Sequence, residues 1–437
     1  MGKAIKIKET QDRLITPSGL LLVGALLMHT TLGRWLNRLG KPKELKHKNA
    51  NCVIPYIGLL CQGKTEYEDI RELQEDSSFS CQALHINTIP SVETVRQRLD
   101  YLAFEIGSTN TVMEESVKML KATESNPTAT FTGHIPLDID VSPHDNSNTK
   151  KEGVSRTYKG MDGYSPIYAY IGQEGYACNG ELRDGTCHSQ CEGTLDFLKD
   201  TLQLAKQITS EKLLVRMDSG NDSLDNIKLF IKEKVDYIIK RNLRKESKDE
   251  WLKMAKMHGK MTNPRDGKTV YIGEVLCAKN IPQPLHIVFE ITVRTMLANG
   301  QILIIPEIDV ATWWTSLNNS PEEIIKLYHE HATCEQFHSE IKSDIGLERF
   351  PSGKFDTNAA ILKLTLLAYN ILRIVGQNSL HITTSRKNVK RLRAKTVIQR
   401  FMTIAGRVIT HARQIFLTLG RSNIWRDNFT ELYATFT

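Results

Sequence analysis

Cysteine is sparse in this chain. Eight are spread over 437 residues, at positions 52, 61, 81, 178, 187, 191, 277 and 334. That density excludes a disulfide scaffold and suits a reducing, cytosolic compartment. Cys187, His188 and Cys191, with Cys178 upstream, lack a second C-x2-C pair or an H-x3-H at zinc-site spacing, so the signal for a structural zinc ion is weak. The apolar run Leu20–Met28, LLLVGALLM, is too short to cross a bilayer. Lys3, Lys6 and Lys8 lie well ahead of it, Pro17 intervenes and no A-x-A-like site follows, which argues against a signal peptide. A buried helix capped by Ser18 is expected instead, with no membrane partner. No internal repeat or low-complexity tract is evident, which excludes repeat arrays. What remains is an ordinary globular composition, 40% hydrophobic and 24% charged, with length enough for two or three domains.

The net charge of +7 is unevenly distributed. Residues 1–50 carry a net of about +7 and residues 381–437 about +9, so the middle is about −9. Basic ends around an acidic centre suit a protein that grips a polyanion and does metal chemistry in the middle; solvated surface charge is the plainer alternative.

The first 130 residues look mainly helical. A helix is predicted from Ser18 to Leu39, ending near Gly40 and Pro42. Ile89-Pro90-Ser91 starts another, VETVRQRLDYLAF. The arrangement is compatible with a helix-turn-helix and equally with a plain helical domain. The polar stretch 121–132 marks a boundary. Beyond it come a strand in HIPLDIDVSP, a polar basic loop over 144–163, and a hairpin from SPIYAYIG and GYACNGELR. A helix over 192–207, the strand LLVRMD, a helix over 222–234 and the strand VDYIIK follow. Three antiparallel strands and then alternating helix and strand make a ribonuclease-H-like pattern, an α/β fold with a mixed sheet. The expected division is a helical DNA-binding domain over 1–130, the first part of the core over 131–244, a β-rich insertion over 245–320, final core helices over 321–380, and a basic helical C-terminal region over 381–437.

Three acids stand out. Asp138 and Asp140 lie two apart on one predicted strand, and Asp140 sits where that strand stops. Asp218 ends a second apolar strand, and ligand sites in open sheets form outside strand ends. The third is in Tyr328–Lys342, YHEHATCEQFHSEIK. Read as one helix, it aligns Tyr328, His331, Glu335 and Lys342 on a single face, at −7, −4 and +7 from Glu335. Such a face is poorly suited to a core, since buried charge is costly unless paired, hydrogen-bonded or metal-bound. Three carboxylates from three elements can hold two Mg²⁺ ions, an oxygen-seeking cation that uses carboxylates and substrate phosphate. Taken singly, each Asp reads as a turn-forming strand-end residue.

Tyr328-x2-His331-x3-Glu335-x6-Lys342 resembles the Y-x2-R-x3-E-x6-K signature of the DDE transposases of bacterial insertion sequences, in the group related to insertion-sequence family four. LDIDVS around Asp140 and VRMDSGND around Asp218 look like that group's first and second Asp motifs. The helical N-terminus and basic C-terminus look most like its thirteen-eighty branch. The resemblance implies catalytic, metal-binding roles for Asp140, Asp218 and Glu335, with two Mg²⁺ ions for which Mn²⁺ substitutes. It implies contacts from Tyr328, His331 and Lys342 to transposon-end phosphates. It also implies double-stranded DNA partners, namely inverted repeats and target DNA, a homodimer on DNA, and a location at the nucleoid in the bacterial cytoplasm. His331 departs from the signature's Arg, and a neutral imidazole lacks the bidentate fork that Arg offers phosphate. Trp313 and Trp314 are candidates for stacking on a flipped base, at most one of them because neighbours on a strand face opposite ways; packing of both is the alternative. Arg386, Lys387, Lys390, Arg391, Arg393, Lys395, Arg400, Arg407 and Arg413 are expected on amphipathic helices whose basic side tracks phosphates, or on surface helices without DNA contact. Lys150, Lys151, Arg156 and Lys159 are candidate DNA contacts in the loop after the first Asp. A metal-dependent nuclease without strand transfer and a domesticated, non-catalytic DNA-binding protein are the competing functions.

Overall fold

A computed structural model describes residues 5, 7–40, 47–277, 284–382, 389–412 and 414–437. Lys3, Lys6, Pro42, Arg386, Lys387 and Arg413 lie outside the described residues. The chain divides into two compact units, one made of Asn126–Ser339 and Ser352–Lys363, the other of Met1–Ser125, Glu340–Pro351 and Leu364–Thr437.

Among the described residues of the first unit, nine strands join in one mixed sheet. In chain order they are β1 (Ile135–Val141), β2 (Ile167–Ile171), β3 (Tyr176–Glu181), β4 (Leu213–Met217), β5 (Asp236–Lys240), β6 (Lys260–Arg265), β7 (Lys268–Cys277), β8 (Leu285–Met296) and β9 (Ile302–Thr315). Their order across the sheet is 6-7-8-9-5-4-1-2-3. β4 lies parallel to both β1 and β5, and the other pairs are antiparallel. The parallel contacts exist because α1 (Thr194–Ile208) and α2 (Leu224–Glu233) carry the chain back between β3, β4 and β5. β1, β2 and β4 are almost wholly buried, and the charged Asp138 and Arg216 within them are paired with each other. The four strands β6–β9 follow a helix, α3 (Lys248–His258), and extend the same sheet, with Trp314 of β9 level with Ile239 of β5. At the β2–β3 turn Gly172 and Gly175 both have positive φ, and a Cβ on Gly175 would collide with the Phe337 ring.

One lysine in this unit is buried. Lys363 Nζ donates to Asn179 Oδ1 (2.9 Å), and burial lowers its pKa to about 8 despite the nearby Glu181 and Asp200. Between that value and the usual lysine range the unfolded chain binds the extra proton, so stability rises with pH across this window. Lys363→Met is therefore expected to raise stability near pH 7 by about 2–3 kcal/mol, with the advantage vanishing near pH 10. Asn179 Oδ1 would keep the Gly180 amide (2.9 Å) as a donor. Urea midpoints at both pH values check this, and equal midpoints at neutral pH would refute it.

The second unit is helical at its N-terminal end, but the predicted helix from Ser18 is broken. Leu20–Met28 and Leu32–Arg38 are separate helices, with His29, Thr30 and Thr31 between them. Thr31 accounts for the stop: its amide and hydroxyl both donate to Glu115, which pulls the chain out of helical register. The helix after Ser91 forms as Val92–Gly107, capped by the Ser91 hydroxyl. The C-terminal region is not wholly helical. Gly406–His411 and Gln414–Leu419 form an antiparallel hairpin that pairs with Leu14–Ile15. The β-branched and aromatic residues of RVIT and QIFLTL are the strand signal overlooked among the basic residues. The helix α6 (Phe355–Ile382) is long and apolar enough to cross a membrane by composition, yet 94% of that window is buried within the protein.

Candidate active site

Two carboxylates lie at the centre of the sheet. β1 and β4 are parallel, with Asp138 level with Arg216 and Ile139 level with Met217. One step further on, Asp140 and Asp218 are neighbours at the carboxyl ends of their strands. The sequence pattern placed both acids there, and the parallel pairing brings them together. The Asp140 side chain accepts from the Val141 amide at Oδ1 (2.8 Å) and faces His338 Nε2 at Oδ2 (3.3 Å). Asp218 caps a short turn and accepts from the Gly220 amide (3.1 Å) and from Asn221 Nδ2 (2.7 Å).

Their proton affinities are driven apart. Burial pushes the Asp140 carboxyl up, but the His338 hydrogen bond and the imidazoles of His338 and His331 outweigh it and hold the group below the usual carboxylate range. Asp218 goes the other way, raised by burial and then by the charge of Asp140. Two adjacent carboxylates that resist joint ionisation suit a hard cation, because its charge relieves their repulsion and its preferred ligands are oxygens.

Beneath this pair lies a network that the sequence did not disclose. Arg216 forks onto Asp138 through Nε (2.7 Å) and Nη2 (2.8 Å) and donates from Nη1 to the Leu327 carbonyl (2.7 Å). His331 Nδ1 lies 2.8 Å from the same Asp138 carboxylate. Burial opposes the Asp138 charge, yet Arg216 and His331 keep its pKa below the ordinary range. His331 is thus buried against Asp138, which corrects the picture of an imidazole turned out to phosphate. The physical reason is the stranded acid: a buried Asp138 needs more than one donor.

Tyr328–Lys342 is not one helix. α4 (Pro321–His329) passes into a 3₁₀ turn at Glu330–Thr333, then α5 (Cys334–Ser339), then a π turn at Glu340–Asp344. Each change of pitch rotates the following side chains, so a 3.6-residue count does not keep Tyr328 and Lys342 on one face. Tyr328 is beside the acids: burial first, then the charges of Asp218, Asp140 and Asp138, push its hydroxyl pKa up. Glu335 is exposed, and the groups gathered around Asp140 are Cys334 and His338, with ligand atoms all within 4.8 Å of one another. Lys342 falls in the π turn, in the helical unit.

Trp313 and Trp314 are both buried, at 2% exposure. They face opposite ways, as the strand requires. Trp313 packs 5.6 Å from the Tyr328 ring, while Trp314 donates to Asp222 Oδ1 (2.8 Å) and lies 4.5 Å under the Arg241 guanidinium. Neither presents a face for a base, which corrects the stacking assignment. Arg391 pairs with the buried Glu340, and Arg393, its side chain half exposed, pairs with Asp344 (2.7 Å). Lys395 is exposed, and its amide donates to Asp344 (3.1 Å). Tyr158 was missed. The residue is 64% exposed, but its hydroxyl donates to the Val141 carbonyl (3.3 Å), and desolvation there, followed by the charges of Asp140 and Asp218, lifts its pKa to about 12. Its place in the loop after the first Asp, beside Lys159, was the available signal. Cys187 and Cys191 form a disulfide, where free thiols were expected.

No curated protein matches the chain. Among solved structures it is similar to the cryo-EM structure of a piggyBac transposase synaptic complex with hairpin DNA, at 12% identity over 90% of this chain and 82% of that one, with a TM-score of 0.40. The family model for the transposase DDE domain, group 1, matches residues 1–437. The chain, matched along its whole length, belongs to the DDE-domain transposases of group 1.

Proposed function

We propose that this chain is the transposase of a bacterial insertion sequence of the family-four-like group, nearest its thirteen-eighty branch. It cleaves DNA at the element's inverted-repeat ends and joins the 3′ ends to target DNA, working as a homodimer on DNA in the cytoplasm. The observation that carries this is the adjacency of Asp140 and Asp218 at the ends of parallel strands in a chain of the DDE family. The 3-2-1-4-5 order of the first five strands supports a ribonuclease-H-like core, and the helical segment 1–130 is the proposed end-binding domain.

Asp140 and Asp218 are the proposed ligands of two Mg²⁺ ions, with Glu335 as the third acid. Divalent cations at such carboxylates activate the attacking hydroxyl and stabilise the leaving oxygen in phosphoryl transfer. The protein's own part is positioning. The Val141 amide and His338 fix the Asp140 carboxylate, and the Gly220 amide with Asn221 fixes Asp218. Tyr158 and Tyr328 lie near enough to the acids for their hydroxyls to feel both carboxylate charges. Arg216 and His331 neutralise Asp138 below, so that acid does not compete for the cations.

Incubating the protein with labelled inverted-repeat DNA and Mg²⁺ tests this function. Nicking at the end plus joining supports it, nicking alone supports a nuclease, and binding alone supports a non-catalytic DNA-binding protein. Glu335→Gln is expected to abolish cleavage while end binding persists in a gel-shift assay. Retained cleavage would remove Glu335 from the site.

A further inference from the structure

Asp140 has a second set of neighbours that a magnesium site does not use. Cys334 Sγ lies 3.5 Å from His338 Nε2, and that nitrogen lies 3.3 Å from Asp140 Oδ2. All three ligand atoms fall within 4.8 Å of one another. A tetrahedral zinc ion, with bonds of about 2.0–2.1 Å to nitrogen or oxygen and about 2.3 Å to sulfur, spaces its ligand atoms roughly 3.3–3.6 Å apart. Both measured separations fall in that range. The other imidazole nitrogen, His338 Nδ1, is 3.2 Å from the Tyr170 hydroxyl, the kind of outer partner that orients a metal-binding imidazole. Cys334 and His338 are buried, while the Asp140 side chain keeps 23% exposure and leaves a way in.

Thiolate and imidazole select soft or borderline cations over Mg²⁺. On coordination the sulfur–hydrogen bond gives way to a sulfur–metal bond and the proton leaves to solvent. One carboxylate and one thiolate then balance a dication, which suits a buried position.

We propose that Asp140, Cys334 and His338 form a binding site for Zn²⁺, open at its fourth position, and that Zn²⁺ held there inhibits the enzyme by withdrawing Asp140 from the catalytic ion. The binding depends on these three side chains alone, whereas the inhibition rests on the function proposed above.

Co²⁺ is the probe, added to the reduced full-length protein carrying Cys187→Ser and Cys191→Ser so that this second pair of thiols does not compete. One equivalent is expected to give a near-ultraviolet thiolate-to-cobalt band together with tetrahedral visible bands, and Zn²⁺ should displace it. Cys334→Ser should remove the thiolate band and weaken Zn²⁺ binding by about 100-fold, with His338→Gln also weakening it. Cys334→Ala and thermal melts guard against misfolding. A missing band in the parent, or an undiminished band in Cys334→Ser, overturns the site. In the cleavage assay, the Zn²⁺ concentration that halves the Mg²⁺-supported rate should rise in Cys334→Ser relative to the parent. Cobalt binding without Zn²⁺ inhibition overturns the inhibitory role and leaves the site standing.

Discussion

Asp140→Asn and Asp218→Asn are each expected to slow DNA cleavage by about 10³-fold or more, because losing a metal-binding carboxylate forfeits several kcal/mol of transition-state charge stabilisation. End binding should persist, since the lost charge is negative and DNA is a polyanion. The two variants also differ in a checkable way. Asp140 raises the pKa of Asp218, so Asp140→Asn should let Asp218 ionise at lower pH, and any residual Mn²⁺ binding should keep its acid limb at lower pH than in the parent. Asp218→Asn leaves Asp140 anchored by His338 and the Val141 amide. Single-turnover cleavage and metal titration against pH measure both effects. An unchanged rate in either variant would dissolve the proposed chemistry.

Arg216→Met carries the largest expected cost in stability, about 3–5 kcal/mol, because it leaves a buried carboxylate with one partner fewer. Asp138 would keep only His331, and the Leu327 carbonyl would lose its donor. The pH dependence follows from the lowered Asp138 pKa. The folded pKa lies below the unfolded one, so the stabilisation is present above the ordinary carboxylate range and is lost as pH falls through the lowered value. In Arg216→Met that acid-side loss should begin at higher pH. Asp138→Leu combined with Arg216→Met should recover much of the loss, since replacing a whole buried pair by apolar groups is often neutral. Urea denaturation of the two variants decides this, and a double variant no better than the single would mean the pair is not what holds the site.

The part of the site legible in the sequence is the part carried by short-range pattern. Strand alternation and abrupt stops located Asp140 and Asp218, because a strand's period and its breakers are local properties. The network below them was hidden: Arg216 and His331 lie 78 and 193 residues from Asp138 along the chain, and it takes the sheet register to bring Arg216 to that acid and the Glu330–Thr333 turn to bring His331. A fixed helical count failed at Glu330–Thr333 and at Glu340–Asp344, where the pitch changes. Charge composition did not reveal the ion pairs at the C-terminus. Arg391 and Arg393 look like a phosphate track, but their partners Glu340 and Asp344 lie about 50 residues earlier. The strands Gly406–His411 and Gln414–Leu419 went unseen because their β-branched and aromatic residues lie in a stretch that was read for charge.

The strand β9 has one further consequence. Its 14 residues extend over roughly 45 Å. Its inner end is clamped, with Trp314 bonded to Asp222, four residues past Asp218, and Trp313 packed on Tyr328. Its outer half is solvent-facing, with Ile304 and Ile305 uncovered. One indole–carboxylate hydrogen bond thus ties the inner end of this strand to the segment just after Asp218, while its outer half reaches away from the acids into solvent.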